Sequence, residues 1–175
     1  MSSFGESMLE LRRQLDKGVI QQAYKGLLDF MLSFKAGLQK RHPELEVSGG
    51  FYEGYLDMSY FACFPKALKE RKLKIAVVFN YSDFRFEVWL SAVNKQVLAE
   101  YWNLIKQSGW SKYHLVPSLE GMDSALEYVL AAEPDFNKLE ALTQTLEKAI
   151  LQFTNDVSEF LETHAKPNLN TALKA

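Results

Sequence analysis

Residues 73–90, LKIAVVFNYSDFRFEVWL, alternate between apolar and more polar positions on both sides of Ser82 and Asp83. Successive side chains of a β-strand point to opposite faces, so this alternation predicts two strands joined by a tight turn. The apolar face of the predicted hairpin carries Leu73, Ile75, Val77, Phe79, Tyr81, Phe84, Phe86, Val88 and Leu90.

Two further segments extend the sheet that this hairpin begins. The stretch 54–64, GYLDMSYFACF, is rich in residues that favour strands and stops before Pro65. Strands that follow one another through short or moderate links usually pair in antiparallel order. We therefore expect a three-stranded meander, with the segment 112–117, KYHLVP, as a candidate for a short fourth strand.

Helical spacing of apolar residues predicts helices on both sides of the strand region. We expect an N-terminal helix pair, ending before Gly18 and covering 19–39, and another helix within 91–109. A short helix capped by Asp123 is expected in 124–132, and a long C-terminal helix capped by Asp135 follows it. The predicted fold is α+β: an antiparallel sheet of three to four strands covered by helices.

Length and composition favour one domain. The chain has 175 residues, of which 47% are hydrophobic and 24% charged, values ordinary for a globular protein. We expect a single α+β domain over residues 1–165, and a polar tail over 166–175 that is frayed.

Charge and cysteine content narrow the classes of partner. The net charge of -2 gives no general attraction to nucleic acid or to an anionic membrane surface, so neither partner is expected. Cys63 is the one cysteine and cannot form an internal disulfide, and the N-terminus lacks the apolar core of a signal peptide. These features favour the cytoplasm. His and Cys are not spaced as metal ligands, and no cofactor motif is found, so no cofactor is expected.

Polar side chains interrupt the predicted strands. By alternation Asp57 lies beside Tyr55 on its strand, while Arg85 and Glu87 share a side of theirs. If those sides coincide, the two acids converge with basic residues. We favour a structural ion-pair network in which Lys74 or Arg85 neutralises Asp57, because buried charges need partners. A ligand pocket is the alternative, and its candidate residues are Tyr55, Asp57, Lys74, Arg85, Glu87 and Trp89.

An alternative hypothesis, that the protein is an enzyme, also rests on Asp57 and Glu87. The order helix, three strands, helix, strand parallels the core of restriction-endonuclease-like folds, in which an acid and a Glu-x-Lys element hold Mg²⁺. Asp57 and Glu87 supply the two acids, but Trp89 stands where the lysine is needed. Similarity of topology does not establish activity, so a divergent nuclease-like or nucleotide-handling enzyme remains the alternative hypothesis.

The segments GYLDMSYF, LKIAVVFN, RFEVWLSAVNK, DSALEYVL and PDFNKLEALTQTLEKAI together resemble a family of small bacterial cytoplasmic proteins catalogued as a domain of unknown function. The resemblance covers most of the chain and implies a bacterial origin and a single domain. It implies no catalytic residue, substrate or cofactor. Our first hypothesis is therefore a non-catalytic module that binds a small polar ligand or a protein, and a homodimer built on helix stripes is another.

Overall fold

The computed structural model describes residues 2–164. Two helices open the described part of the chain, and a 3₁₀ turn, Pro43–Leu45, follows the second of them. In chain order the elements are α1 Phe4–Leu15, α2 Val19–Arg41, β1 Met58–Cys63, α3 Lys66–Lys69, β2 Leu73–Asn80, β3 Arg85–Ala92, α4 Lys95–Ser108, β4 His114–Leu115, β5 Leu126–Ala131 and α5 Leu139–His164. The predicted tail, 166–175, lies outside the described residues.

The strands form one antiparallel sheet in the order β1-β2-β3-β5-β4. The α+β prediction is confirmed, together with the N-terminal helix pair and the long C-terminal helix, although the sheet has five strands rather than three to four. Within residues 2–164, no helix combines the length and the apolar composition that crossing a bilayer demands.

The hairpin at 73–90 forms the centre of this sheet. Val77 pairs with Val88 and Phe79 with Phe86, so the apolar face of one strand continues across the other. The Asn80 side chain stabilises the turn, because its Oδ1 accepts a hydrogen bond from the backbone N–H of Ser82 at 2.9 Å.

The segment 124–132 contains strand β5, Leu126–Ala131, and the prediction of a helix there was wrong. Leu126 of β5 pairs with Leu90 of β3, and the backbone N–H of Ala125 donates to the Leu90 carbonyl at 2.8 Å. Asp123 does not cap a helix; its carboxylate pairs with Lys95 at 2.7 Å. Alanine, leucine and glutamate favour helices locally, but pairing along a central strand outweighs that preference.

Helices α2 and α5 pack on one face of the sheet. Phe30 of α2 lies edge-on to Phe86, and Phe34 lies edge-on to Phe61 of β1. On the α5 side, Phe153 stacks parallel to Tyr128 of β5. The buried apolar side chains of these elements belong to one continuous core cluster.

A buried carboxylate joins α5 to the segment before β4. Asp156 accepts hydrogen bonds from the Tyr113 hydroxyl at 2.6 Å and from the Gln152 amide at 2.8 Å, and it pairs with Lys112 at 2.7 Å. Burial acts to raise the pKa of Asp156, but the hydrogen bonds from these three donors outweigh it, so the pKa is lowered. The ionised carboxylate therefore stabilises the folded chain.

Helix α1 is well formed but poorly packed. Ser3 caps it, accepting from the Glu6 N–H, while the Glu6 carboxylate accepts from the Ser3 N–H. None of its residues is buried. Gly18, with φ of 72°, makes the turn between α1 and α2, a conformation that glycine adopts at no steric cost.

Candidate functional site

Strand alternation divides the sheet into a core face, which meets α2 and α5, and a second face turned away from them. Phe61, Val77 and Val88 belong to the core face, and cross-strand pairing carries that assignment from strand to strand. The second face carries Met58, Tyr60 and Ala62 of β1, Lys74, Ala76, Val78 and Asn80 of β2, Arg85, Glu87, Trp89 and Ser91 of β3, and Glu127 and Val129 of β5.

A carboxylate lies at the centre of the second face. Glu87 is 2% exposed, and each of its oxygens accepts one hydrogen bond at 2.6 Å, from Arg85 Nε and from Trp89 Nε1. The hydrogen bond to Glu87 raises the pKa of the Arg85 guanidinium. The three side chains therefore form a network along one strand, and the network fixes the orientation of the Trp89 indole.

Lys74 lies on the same face near the opposite end of β2, directly across from Ser91. None of the ion pairs or side-chain hydrogen bonds found within residues 2–164 involves its ammonium group. The residue is half-buried and lines the groove described below. Lys74 is thus a cation available to a ligand.

A groove of about 350 Å³ on the second face is lined by both Lys74 and Trp89, while Arg85 and Glu87 lie outside it. Trp89 and Tyr60 provide aromatic walls, and Ala76 lies between them on the floor. Lys95, at the start of α4, closes one end through its ion pair with Asp123. The volume is at the lower end of the range typical for small-molecule sites, about 300–1,000 Å³.

Asp57 and Tyr55 lie in the turn before β1 and do not line the groove. The prediction that Asp57 pairs with Lys74 or Arg85 was wrong. Asp57 is exposed, and its Oδ1 accepts from the Tyr55 backbone N–H at 2.9 Å. The pKa of Asp57 is lowered by backbone hydrogen bonds from Tyr55 and Met58. Tyr55 itself is 93% exposed.

The physical reason is a turn just before β1. Gly54 has φ of 74° and Leu56 has φ of 63°, so alternation does not extend back from Met58. A Cβ on Gly54 would lie 1.9 Å from the Met58 carbonyl oxygen, so the close approach also requires glycine. Ser59, the next residue on the side assigned to Asp57, is buried on the core face.

The geometry gives the enzymatic alternative little support. Asp57 sits in a surface turn, and both oxygens of Glu87 are occupied by donors from its own strand. Across the described part of the chain, no group of three His, Cys, Asp or Glu side chains is placed to hold a metal ion. Asp57 lies in the turn before β1, whereas Glu87 lies on the second face of β3.

The sequence reasoning missed an apolar cleft beside α2. About 500 Å³ in volume, this cleft is lined by Ile20, Ala23, Tyr24, Gly26, Leu27 and Phe30 of α2, together with Leu56, Tyr81, Phe84, Phe136 and Leu139. Leu56 and Phe84 are 55% and 58% exposed and have positive φ values, which cost a residue with a side chain about 1–2 kcal/mol each. Apolar residues in two surface turns were the available signal.

Comparison with known proteins gives a family and no function. No curated protein and no solved structure matches the sequence. The family model described as "Domain of unknown function (DUF7000)" matches residues 4–161, nearly the whole chain. The protein belongs to the DUF7000 family.

Proposed function

We propose that the protein is a non-catalytic ligand-binding module, and that the second-face groove binds a small ligand combining an anionic group with a flat apolar part. One observation carries this proposal: the Lys74 ammonium, which has no ion-pair partner among residues 2–164, lines the same groove as the Trp89 indole, whose orientation Glu87 fixes. A cation and a fixed aromatic surface together select charge and shape.

The neighbouring groups support an anionic ligand. Asp123, the acid in the groove wall, is neutralised by Lys95, and Ser91 donates its hydroxyl to the Asp123 carbonyl at 2.6 Å. Lys74 therefore supplies the groove's uncompensated charge. The carboxylate of Glu87 is turned into its network with Arg85, which limits its repulsion of an anion.

Benzoate and its neutral amide, benzamide, provide a matched pair of probes. Titrating each into the ¹⁵N-labelled protein, followed by NMR, should shift the Trp89 indole N–H resonance with benzoate far more than with benzamide. The Lys74→Gln variant should bind benzoate about 10- to 100-fold more weakly, as expected for one charge-assisted hydrogen bond. Lys66→Gln, on the exposed face of α3, is the control of equal charge and should bind as the wild type does.

The proposal fails if benzoate leaves the Trp89 indole resonance unmoved, or if Lys74→Gln and Lys66→Gln bind equally. A Trp89→Leu variant separates the two halves of the site, because it removes the aromatic wall and retains Lys74. Loss of benzoate affinity in both Trp89→Leu and Lys74→Gln supports a shared site.

We also infer that the chain works as one domain, residues 1–165, in a reducing compartment such as the bacterial cytoplasm. The buried Cys63 supports the second inference, since burial raises the pKa of its thiol to about 12 and the sequence holds no partner for a disulfide. The continuous core cluster supports the inference of a single domain.

A further inference from the structure

The N-terminal helix has an apolar stripe that its own chain leaves uncovered. Phe4, Met8, Leu11 and Leu15 recur on one side of α1 and are 37–81% exposed. A helix of 12 residues is only marginally stable by itself in water, so α1 needs a surface to pack on.

The apolar cleft is a surface of matching chemistry, and it begins where α1 ends. Ile20, in the first turn of α2, lines the cleft and is 37% exposed, and only the turn around Gly18 separates α2 from α1. Leu56, Phe84 and Leu139, around the cleft, are each about half exposed. One chain therefore carries both an unpartnered apolar helix and an unfilled apolar cleft.

We propose that the apolar cleft of each chain receives α1 of a second copy, so that two chains exchange their N-terminal helices in a symmetric dimer. In a two-fold arrangement each copy offers one helix and one cleft, which satisfies both surfaces at once. Because the cleft lies at the base of α1, the exchange needs a short reach, and the helix is only about 18 Å long.

The surface available is sufficient for a stable dimer. The stripe residues Phe4, Met8, Leu11 and Leu15 are 81%, 48%, 46% and 37% exposed, which together equals about two fully exposed residues. A large apolar residue presents on the order of 150 Å² of surface, which gives about 300 Å² for each helix. With the facing clefts and the second copy included, the exchange buries about 1,200 Å², the lower limit of standard protein interfaces.

Light scattering after size-exclusion chromatography gives the first test. The full chain should elute with twice its monomer mass of 20.1 kDa. Leu11→Glu, on the stripe, and Leu139→Glu, in the cleft, should each shift the mass to that of a monomer. Arg13→Gln makes the same change in charge on the opposite side of α1 and should leave the dimer intact. A monomeric wild type, or a dimer unaffected by both glutamate variants, overturns the proposal.

Cross-linking distinguishes exchange between copies from a helix that folds back onto its own cleft. Leu11→Cys and Leu139→Cys are made in separate chains, mixed and treated with a short bismaleimide; the buried Cys63 does not compete. Exchange predicts a cross-linked species of twice 20.1 kDa in the mixture. A cross-linked monomer from the double variant, with no dimeric product from the mixture, shows that α1 folds back and overturns the proposal.

Discussion

Replacing Arg85 with methionine removes the guanidinium that faces Glu87 and keeps most of the unbranched side-chain stem. The Glu87 side chain is 3% exposed, so its carboxylate would keep only the hydrogen bond from Trp89. Removing one member of a fully buried ion pair costs about 3–5 kcal/mol. Arg85 is 34% exposed, and solvent screens part of that interaction, so we expect a loss of about 2–3 kcal/mol.

A second substitution shows whether the cost comes from the stranded charge. Glu87→Gln alone should cost about 1 kcal/mol, because the amide retains an oxygen that accepts from one of the two donors. In the Arg85→Met background the same change removes the unpaired charge. The double variant should therefore be more stable than Arg85→Met alone, with a coupling energy of about 1–2 kcal/mol.

Urea unfolding, followed by circular dichroism on all variants, measures these differences, and thermal melts should show Arg85→Met lowered by about 4–12 °C. Arg13→Met is the matched control, because Arg13 pairs with Glu10 on the surface and its loss should leave the midpoint unchanged. If Arg85→Met unfolds with the wild-type midpoint, or if the double variant is simply additive, the reasoning about Glu87 is refuted.

Three further predictions concern other parts of the chain. The lowered pKa of Asp156 means that its stabilising effect is present above its ordinary pKa of 3.8 and is lost as the pH falls through the folded-state value. Asp156→Asn should therefore be less stable than wild type at pH 7, and its stability should fall less steeply in acid titrations by urea melts; parallel curves would contradict this. Lys72 has φ of 60°, so Lys72→Gly should be about 1 kcal/mol more stable than Lys72→Ala in the same assay, and equal values would remove the argument. Asp57→Asn should lower the melting temperature only slightly, since asparagine accepts the same turn hydrogen bond from Tyr55 but loses the charge that the backbone N–H groups favour; a drop as large as that of Arg85→Met would restore a structural ion pair for Asp57.

The parts of the fold that sequence predicted are those determined locally. The alternation at 73–90 specifies two strands without reference to the rest of the chain, and the hairpin formed as expected. Segment 124–132 depends on a distant partner, because β5 pairs with β3 more than thirty residues before it. Its leucine, alanine and glutamate content favours a helix. It forms a strand because it pairs with β3, where Leu126 lies opposite Leu90.

The residues of the candidate site that could be predicted are likewise those whose placement depends on local sequence. Arg85, Glu87 and Trp89 alternate within one strand, so their shared face follows directly from sequence. Asp57 was misplaced because positive φ at Gly54 and Leu56 ends the alternation before the strand begins. The groove could not be predicted from local pattern, since it depends on where the start of α4 meets the start of β2.

The Glu87 network lies within a single strand, so it can be transferred to another protein as one short segment. Its donor, acceptor and second donor are spaced two residues apart within 85–89, and no side chain from another strand takes part in its hydrogen bonds. A change in the length of the 81–84 turn would alter the pairing between strands without separating these three groups. The network is therefore a portable unit: five consecutive residues, RFEVW, copied onto the exposed face of another sheet, should carry an oriented indole with them.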